Sequence, residues 1–328
     1  MSTVRYGDSV TVISEAYQRW SELEARDSSP LYEEWSSAIA RDPDICGLIL
    51  ALPEWKRQPN LVFASARAAG APLASYARFR PWLIAQWAAV EAIALTHSTQ
   101  TNEAARCAVL LPLLSQIDGP VALIEVGASA GLCLYPDRYS YRYATPTGVA
   151  MLNPVDGPST VELPCTITDA NTPVRLPEVV WRAGIDLNPI DVRNRDDLVW
   201  LEMLVWPEHE ARRKRIRAAA AMIIADPPFL VRGDLLEMLP GLVDQAPNGA
   251  TVVVFHSAVL VYLSSEQRQQ FVDLVTSLDV TWISNEGVTV LPAIDAQLQD
   301  PTAGRTVLAK DGVAVARTGP HGQSYQGL

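Results

Sequence analysis

The stretch Val121–Leu134, VALIEVGASAGLCL, is the one from which the rest of the chain is read. A run of apolar and β-forming residues leads into Glu125. Gly127, Ser129 and Gly131 then alternate with alanine before the chain turns apolar again. This pattern reads as a buried parallel strand passing through a tight loop into a helix. The glycines let the backbone approach a ligand, and a helix N-terminus adds unpaired N–H groups and partial positive charge. Glu125, at the strand end, is placed to accept hydrogen bonds from a cationic ligand or to screen its charge.

Composition narrows the field. The 328 residues exceed one average domain, so a large domain with a smaller companion is expected. With 48% hydrophobic and 19% charged residues the chain has globular composition and can bury a large core. A net charge of -11 and a pI near 4.9 argue against a nucleic-acid partner, because phosphate binding needs a basic face. The basic run Arg212–Arg217 lies in a helical pattern and reads as a solvated face. Cys46, Cys107, Cys133 and Cys165 have no metal-ligand spacing. They read as reduced thiols of a cytoplasmic protein without a zinc site. MSTVRYGDSV lacks the apolar core of a signal peptide, and no apolar run is long enough for a membrane span.

Residues 1–117 read as an all-helical N-terminal region, and 118–328 as the sheet domain. Helical periodicity covers Val12–Arg26. Pro30 and Pro43 open further helices, and Leu61–Ala69, Trp82–Thr96 and Asn102–Gln116 complete the set, with a turn at Pro72–Phe79. Such a block is either a lid over a site in the next domain or a packing unit, including one that forms a homodimer. Its tryptophans, Trp20, Trp35, Trp55, Trp82 and Trp87, read as core.

From Val121 strands and helices alternate. Residues 139–178 read as a β-rich insertion, with strands near 139–143 and 161–167. A second strand, from Val179, ends in Asp186 followed by Leu187, and a carboxylate at that tip suits two ribose hydroxyls; the alternative is a turn or cap residue. Helices are expected over 191–206 and 207–224. Strands follow from Phe229 to the turn at Asp234 and Leu235, over Thr251–Phe255 and over Val280–Ser284, with a hairpin around Asp311-Gly312. Asp226-Pro-Pro-Phe229 precedes its strand and reads as a helix stop.

Glu125-x-Gly127-x-x-x-Gly131 and Gly184-Ile-Asp186-Leu187 resemble the first two motifs of class I S-adenosylmethionine (SAM) methyltransferases, with Ser129 at a position that is usually glycine. The segments EVGASAGL, GIDLNPIDV, WLEMLVWP and VVVFHSAVLVYL are also similar to a bacterial domain-of-unknown-function family placed among Rossmann-like methyltransferases. The resemblance implies an α/β fold with a Rossmann-like seven-stranded methyltransferase sheet and a SAM cofactor. It puts Glu125, Gly127, Ser129, Gly131, Asp186, Leu187, Asp234 and Leu235 on that cofactor. The reaction it implies is methylation of a small-molecule acceptor, with His256 as proton acceptor and Tyr262 lining the pocket. His256 bonded to backbone and Tyr262 packed on the sheet are the structural alternatives.

Two other functions stay open. The chain is either a non-catalytic or regulatory protein that keeps the methyltransferase-like fold, or a serine hydrolase. In the hydrolase reading, Gly127-Ala-Ser129-Ala-Gly131 is a G-x-S-x-G elbow, His321 the base and Glu286 or Asp295 the acid.

Overall fold

The computed structural model describes residues 9–100, 102–168, 172–300 and 305–328. The chain divides into two compact units: Ser2–Thr101 with Asn194–Lys214, and Asn102–Arg193 with Arg215–Leu328.

Helices build the first unit, and their starts follow capping chemistry. Ser9, Ser29 and Asp42 cap Val10–Trp20, Pro30–Ile39 and Pro43–Leu50, and Pro59 opens Pro59–Ala68. Tyr76–Thr96 runs unbroken through Pro81, where separate elements were expected. Proline removes one intrahelical bond there, while Phe79, Leu83, Trp87, Val90 and Ala94 remain buried along the helix. The helix Arg195–Leu204 also belongs to this unit, and its Trp200 and Leu204 join the core of Tyr17, Trp35, Phe63 and Phe79. Trp35 and Phe79 stack 3.8 Å apart. Trp20, Trp35 and Trp87 are buried, whereas Trp55 is exposed.

One sheet organises the second unit. Its strands are β1 (Pro120–Val126), β2 (Ser140–Thr145), β3 (Gly148–Leu152), β4 (Glu162–Ile167), β5 (Glu178–Asp186), β6 (Phe229–Arg232), β7 (Thr251–Ser257), β8 (Thr281–Gly287), β9 (Thr306–Lys310), β10 (Val313–Thr318) and β11 (Ser324–Gly327). Five of them are parallel in the order β8-β7-β1-β5-β6. Register sets Glu125 between Gly184 and Phe255. Strand order reverses at β1/β7, and open α/β sheets bind ligands at the carboxyl ends of strands beside such a reversal. Ile124, Val126, Ile185, Val254, Phe271 and Trp282 form the core of this half.

The sheet corrects the expected architecture: among the described residues it has 11 strands, not the seven of a Rossmann-like methyltransferase sheet, although the α/β class holds. Beyond β8 the chain continues as the antiparallel meander β9-β10-β11. Strand β11 then pairs parallel with β4, and β4 with β2, so the strands of residues 139–178 extend the same sheet. Period-two alternation marks the faces of a strand and says nothing of its partner. The pairing of Tyr325 with Ile167 is therefore invisible until the chain folds.

A second difference bears directly on the site. No α-helix follows the glycine turn; Leu132–Leu134 forms a single 3-10 turn, and the chain runs on into β2. Side chains take the carbonyls that a helix would use. Tyr139 and Tyr141 hydroxyls donate to Leu132 O and Pro136 O, each at 2.6 Å, and Arg182 Nη1 donates to Leu134 O at 2.7 Å. Arg182 also forms an ion pair with Asp137 at 2.7 Å. Among the described residues no helix is long and apolar enough to cross a membrane.

Candidate functional site

The turn Gly127–Gly131 lies at the carboxyl ends of β1 and β5, and each of its amides has an acceptor within the protein. Gly127 and Ala128 donate to Ile185 O at 2.8 and 3.0 Å, and Gly131 donates to Ala128 O at 2.6 Å. Ser129 N donates to Asp186 Oδ2 at 2.8 Å, and Ala130 N to Asn102 Oδ1 at 3.0 Å. Gly127 and Ser129 hold φ of 74° and 49°, the left-handed region that glycine enters without strain. A Cβ on Gly127 would stand 2.8 Å from Val259 Cγ1 and nearer still to Cγ2. Val259 therefore fills the face that a ligand would approach.

The carboxylates expected to hold a cofactor have internal partners as well. Asp186 accepts from Ser129 N through one oxygen and from Asn188 N, at 2.7 Å, through the other. Asp234 caps the helix Leu235–Val243 by accepting from Leu236 N at 2.8 Å, and Leu235 is the first residue of that helix. Glu125 is sealed in the core, and its Oε2 has no hydrogen-bond partner among the described residues. Burial pushes its carboxyl well above the usual range; Cys133 and Asp186 add to this, and Arg106 opposes it. Leu187, at the tip of β5, is exposed. A nucleoside cofactor held as the resemblance implies needs an open glycine face and an outward carboxylate at the second strand. In this arrangement Val259 covers Gly127, and each Asp186 oxygen already accepts a backbone amide.

His256 is fully buried near the end of β7. Its Nε2 accepts from Trp282 Nε1 at 3.0 Å, and an indole N–H only donates, so the imidazole proton sits on Nδ1. That proton goes to Glu286 Oε1, 2.6 Å away. The same oxygen accepts from Val259 N and Leu260 N at 2.9 and 3.2 Å. The pair thus anchors the segment that presses Val259 on Gly127. With both ring nitrogens engaged, His256 offers no lone pair to a substrate, contrary to its expected part in proton transfer. Tyr262, in the same segment, is 73% exposed and does not line a closed site.

The hydrolase constellation does not assemble either. Ser129 is buried, and its Oγ accepts from Asn102 Nδ2 at 2.7 Å. Glu286 bonds His256, Asp295 accepts from Thr289 N at 2.7 Å, and His321 is exposed. Asn102, Val259 and Trp282 escaped the sequence reading. Asn102 meets Ser129 from 27 positions away and Trp282 meets His256 from 26, without any local motif.

A cavity of about 230 Å³ opens beside the turn. Ala130, Ile190, Val192, Ile223, Pro228 and Leu230 form its apolar lining, and Asp191 and Arg193 supply its charged groups. Pro227 and Pro228, read as a helix stop, do follow the helix Glu210–Ala225, and both also line this cavity.

No curated protein and no solved structure gives a significant match to the chain. A family model described as "Uncharacterized protein conserved in bacteria (DUF2332)" matches residues 14–326, nearly the whole length, including the glycine turn, Asp186, His256 and the cavity. The chain belongs to this bacterial DUF2332 family.

Proposed function

We propose that this chain is a non-catalytic, ligand-responsive protein in which the glycine turn is a structural joint and a small molecule is taken up elsewhere on the same unit. One observation carries the reading: the five amides of Gly127–Gly131 are spent on protein acceptors while Val259 covers Gly127. Four free, buried cysteines support a reducing, cytoplasmic setting.

SAM-dependent methylation of a small acceptor is the second reading. The placement of Asp186 at the carboxyl end of β5, the strand beside β1, favours it. A carboxylate has about four acceptor positions, of which the two backbone amides occupy two.

Thermal-shift and calorimetric titrations with SAM and S-adenosylhomocysteine separate the two. A ligand that binds only the native state stabilises it by RT ln(1 + [L]/Kd). The expected result is no shift with either compound at millimolar concentration, and a lower Tm for ligand-free Asp186→Ala. Saturable stabilisation by SAM that Asp186→Ala abolishes would overturn the proposal in favour of the methyltransferase.

A further inference from the structure

We propose that the cavity beside Ala130 binds a free α-amino acid with an apolar side chain. This rests on the reading that the ligand site is the cavity and not the glycine turn. Six lining side chains, Ala130, Ile190, Val192, Ile223, Pro228 and Leu230, carry no hydrogen-bonding group. A hydrocarbon group or a single aromatic ring of an occupant would pack on these six side chains. At about 230 Å³ the space lies below the roughly 300–1,000 Å³ of sites for larger ligands.

The walls are preformed. Pro189, Pro227 and Pro228 have restricted backbones, Ile190 N donates to Ser129 O at 3.0 Å, and the Tyr135 hydroxyl donates to Asp226 O, beside Pro227. A preformed cleft loses little entropy on filling.

The charged groups select the class of ligand. Arg193 Nε and Nη2 donate to Asp191 Oδ1 and Oδ2, both at 2.8 Å, and the guanidinium holds the Asp191 carboxyl below its usual range. Both side chains are exposed at the mouth of the cavity, and Arg193 Nη1 makes no hydrogen bond among the described residues. An apolar carboxylate would reach Arg193 but set its charge against Asp191. An apolar amine would meet the opposite conflict. A zwitterion bearing ammonium and carboxylate on one carbon answers both charges, and its side chain extends into the slot.

The test is a thermal-shift and calorimetric panel on the full chain: L-leucine, L-phenylalanine, glycine, phenethylamine, 3-phenylpropionate and SAM. L-Leucine or L-phenylalanine is expected to stabilise saturably. Glycine, which lacks the side chain, and the two single-charge analogues are expected to bind at least tenfold more weakly. Arg193→Gln changes an exposed side chain, so the variant folds, and it is expected to weaken amino-acid binding by roughly tenfold or more. Phenethylamine or phenylpropionate binding as tightly as phenylalanine, or unchanged affinity in Arg193→Gln, overturns the proposal. No response to any compound overturns the amino-acid site and leaves the reading of the glycine turn standing. A response to SAM alone overturns both.

Discussion

Asp186→Ala tests whether the carboxylate at the tip of β5 serves the protein or a ligand. In the structure it accepts two amides, Ser129 N in a half-buried bond and Asn188 N in an exposed one. A hydrogen bond to a charged acceptor contributes about 1.5–3 kcal/mol when its loss leaves a buried donor unpaired. Water replaces the acceptor at exposed Asn188, so that bond adds at most about 1 kcal/mol. The turn is therefore expected to lose about 1.5–4 kcal/mol of local stability, a roughly 10- to 700-fold faster opening at 1.4 kcal/mol per decade. Hydrogen–deuterium exchange of the peptide covering residues 121–135 reads this directly, with the β9–β10 hairpin as internal reference. Asp186→Asn keeps one acceptor oxygen and should fall between the two. Exchange in Asp186→Ala within threefold of wild type would refute the structural role and return the carboxylate to the ribose of a cofactor.

Gly127→Ala places a Cβ against Val259 at a backbone φ of 74° and should cost about 2–4 kcal/mol, combining overpacking with left-handed strain. Adding Val259→Ala should recover about 1 kcal/mol or more of it in a double-mutant cycle by chemical denaturation; strict additivity would show that the two do not meet. His256→Ala leaves Glu286 and the Trp282 indole without their buried partner and should cost about 3 kcal/mol or more by calorimetry, whereas a stability-neutral substitution would free His256 for catalysis. Glu125 has its folded pKa raised, chiefly by burial, so it binds its proton more tightly folded than unfolded. Its contribution is complete below the unfolded value near 4.5 and is lost as pH rises toward the folded one, with a slope of up to about 1.4 kcal/mol per pH unit. Glu125→Gln should remove that slope from urea titrations across pH; parallel curves for the two proteins would contradict it.

Local signals in the chain were sound where one element decides its own state. Ser29-Pro30 and Asp42-Pro43 start helices because cap and proline act within one turn. VALIEV and TVVVF are strands because continuous β-forming apolar runs are buried on both faces of a parallel sheet. The site was less legible. Gly127, Ser129, Gly131 and Asp186 do converge at one strand end, as the motifs indicate, but their hydrogen bonds run to each other and to Ile185 and Asn102.

By itself the sequence determined the helical N-terminal stretch, the α/β alternation after Val121 and the glycine turn after β1, since each follows from periodicity, capping and backbone freedom within a few residues. Only the tertiary structure decided that β11 recruits β4 and β2 into an 11-stranded sheet, that Val259 covers Gly127, and that His256 is locked between Glu286 and Trp282. Those outcomes depend on which distant groups meet. A residue pattern states what a side chain is able to bond, and the folded chain alone supplies the partner that uses that capacity.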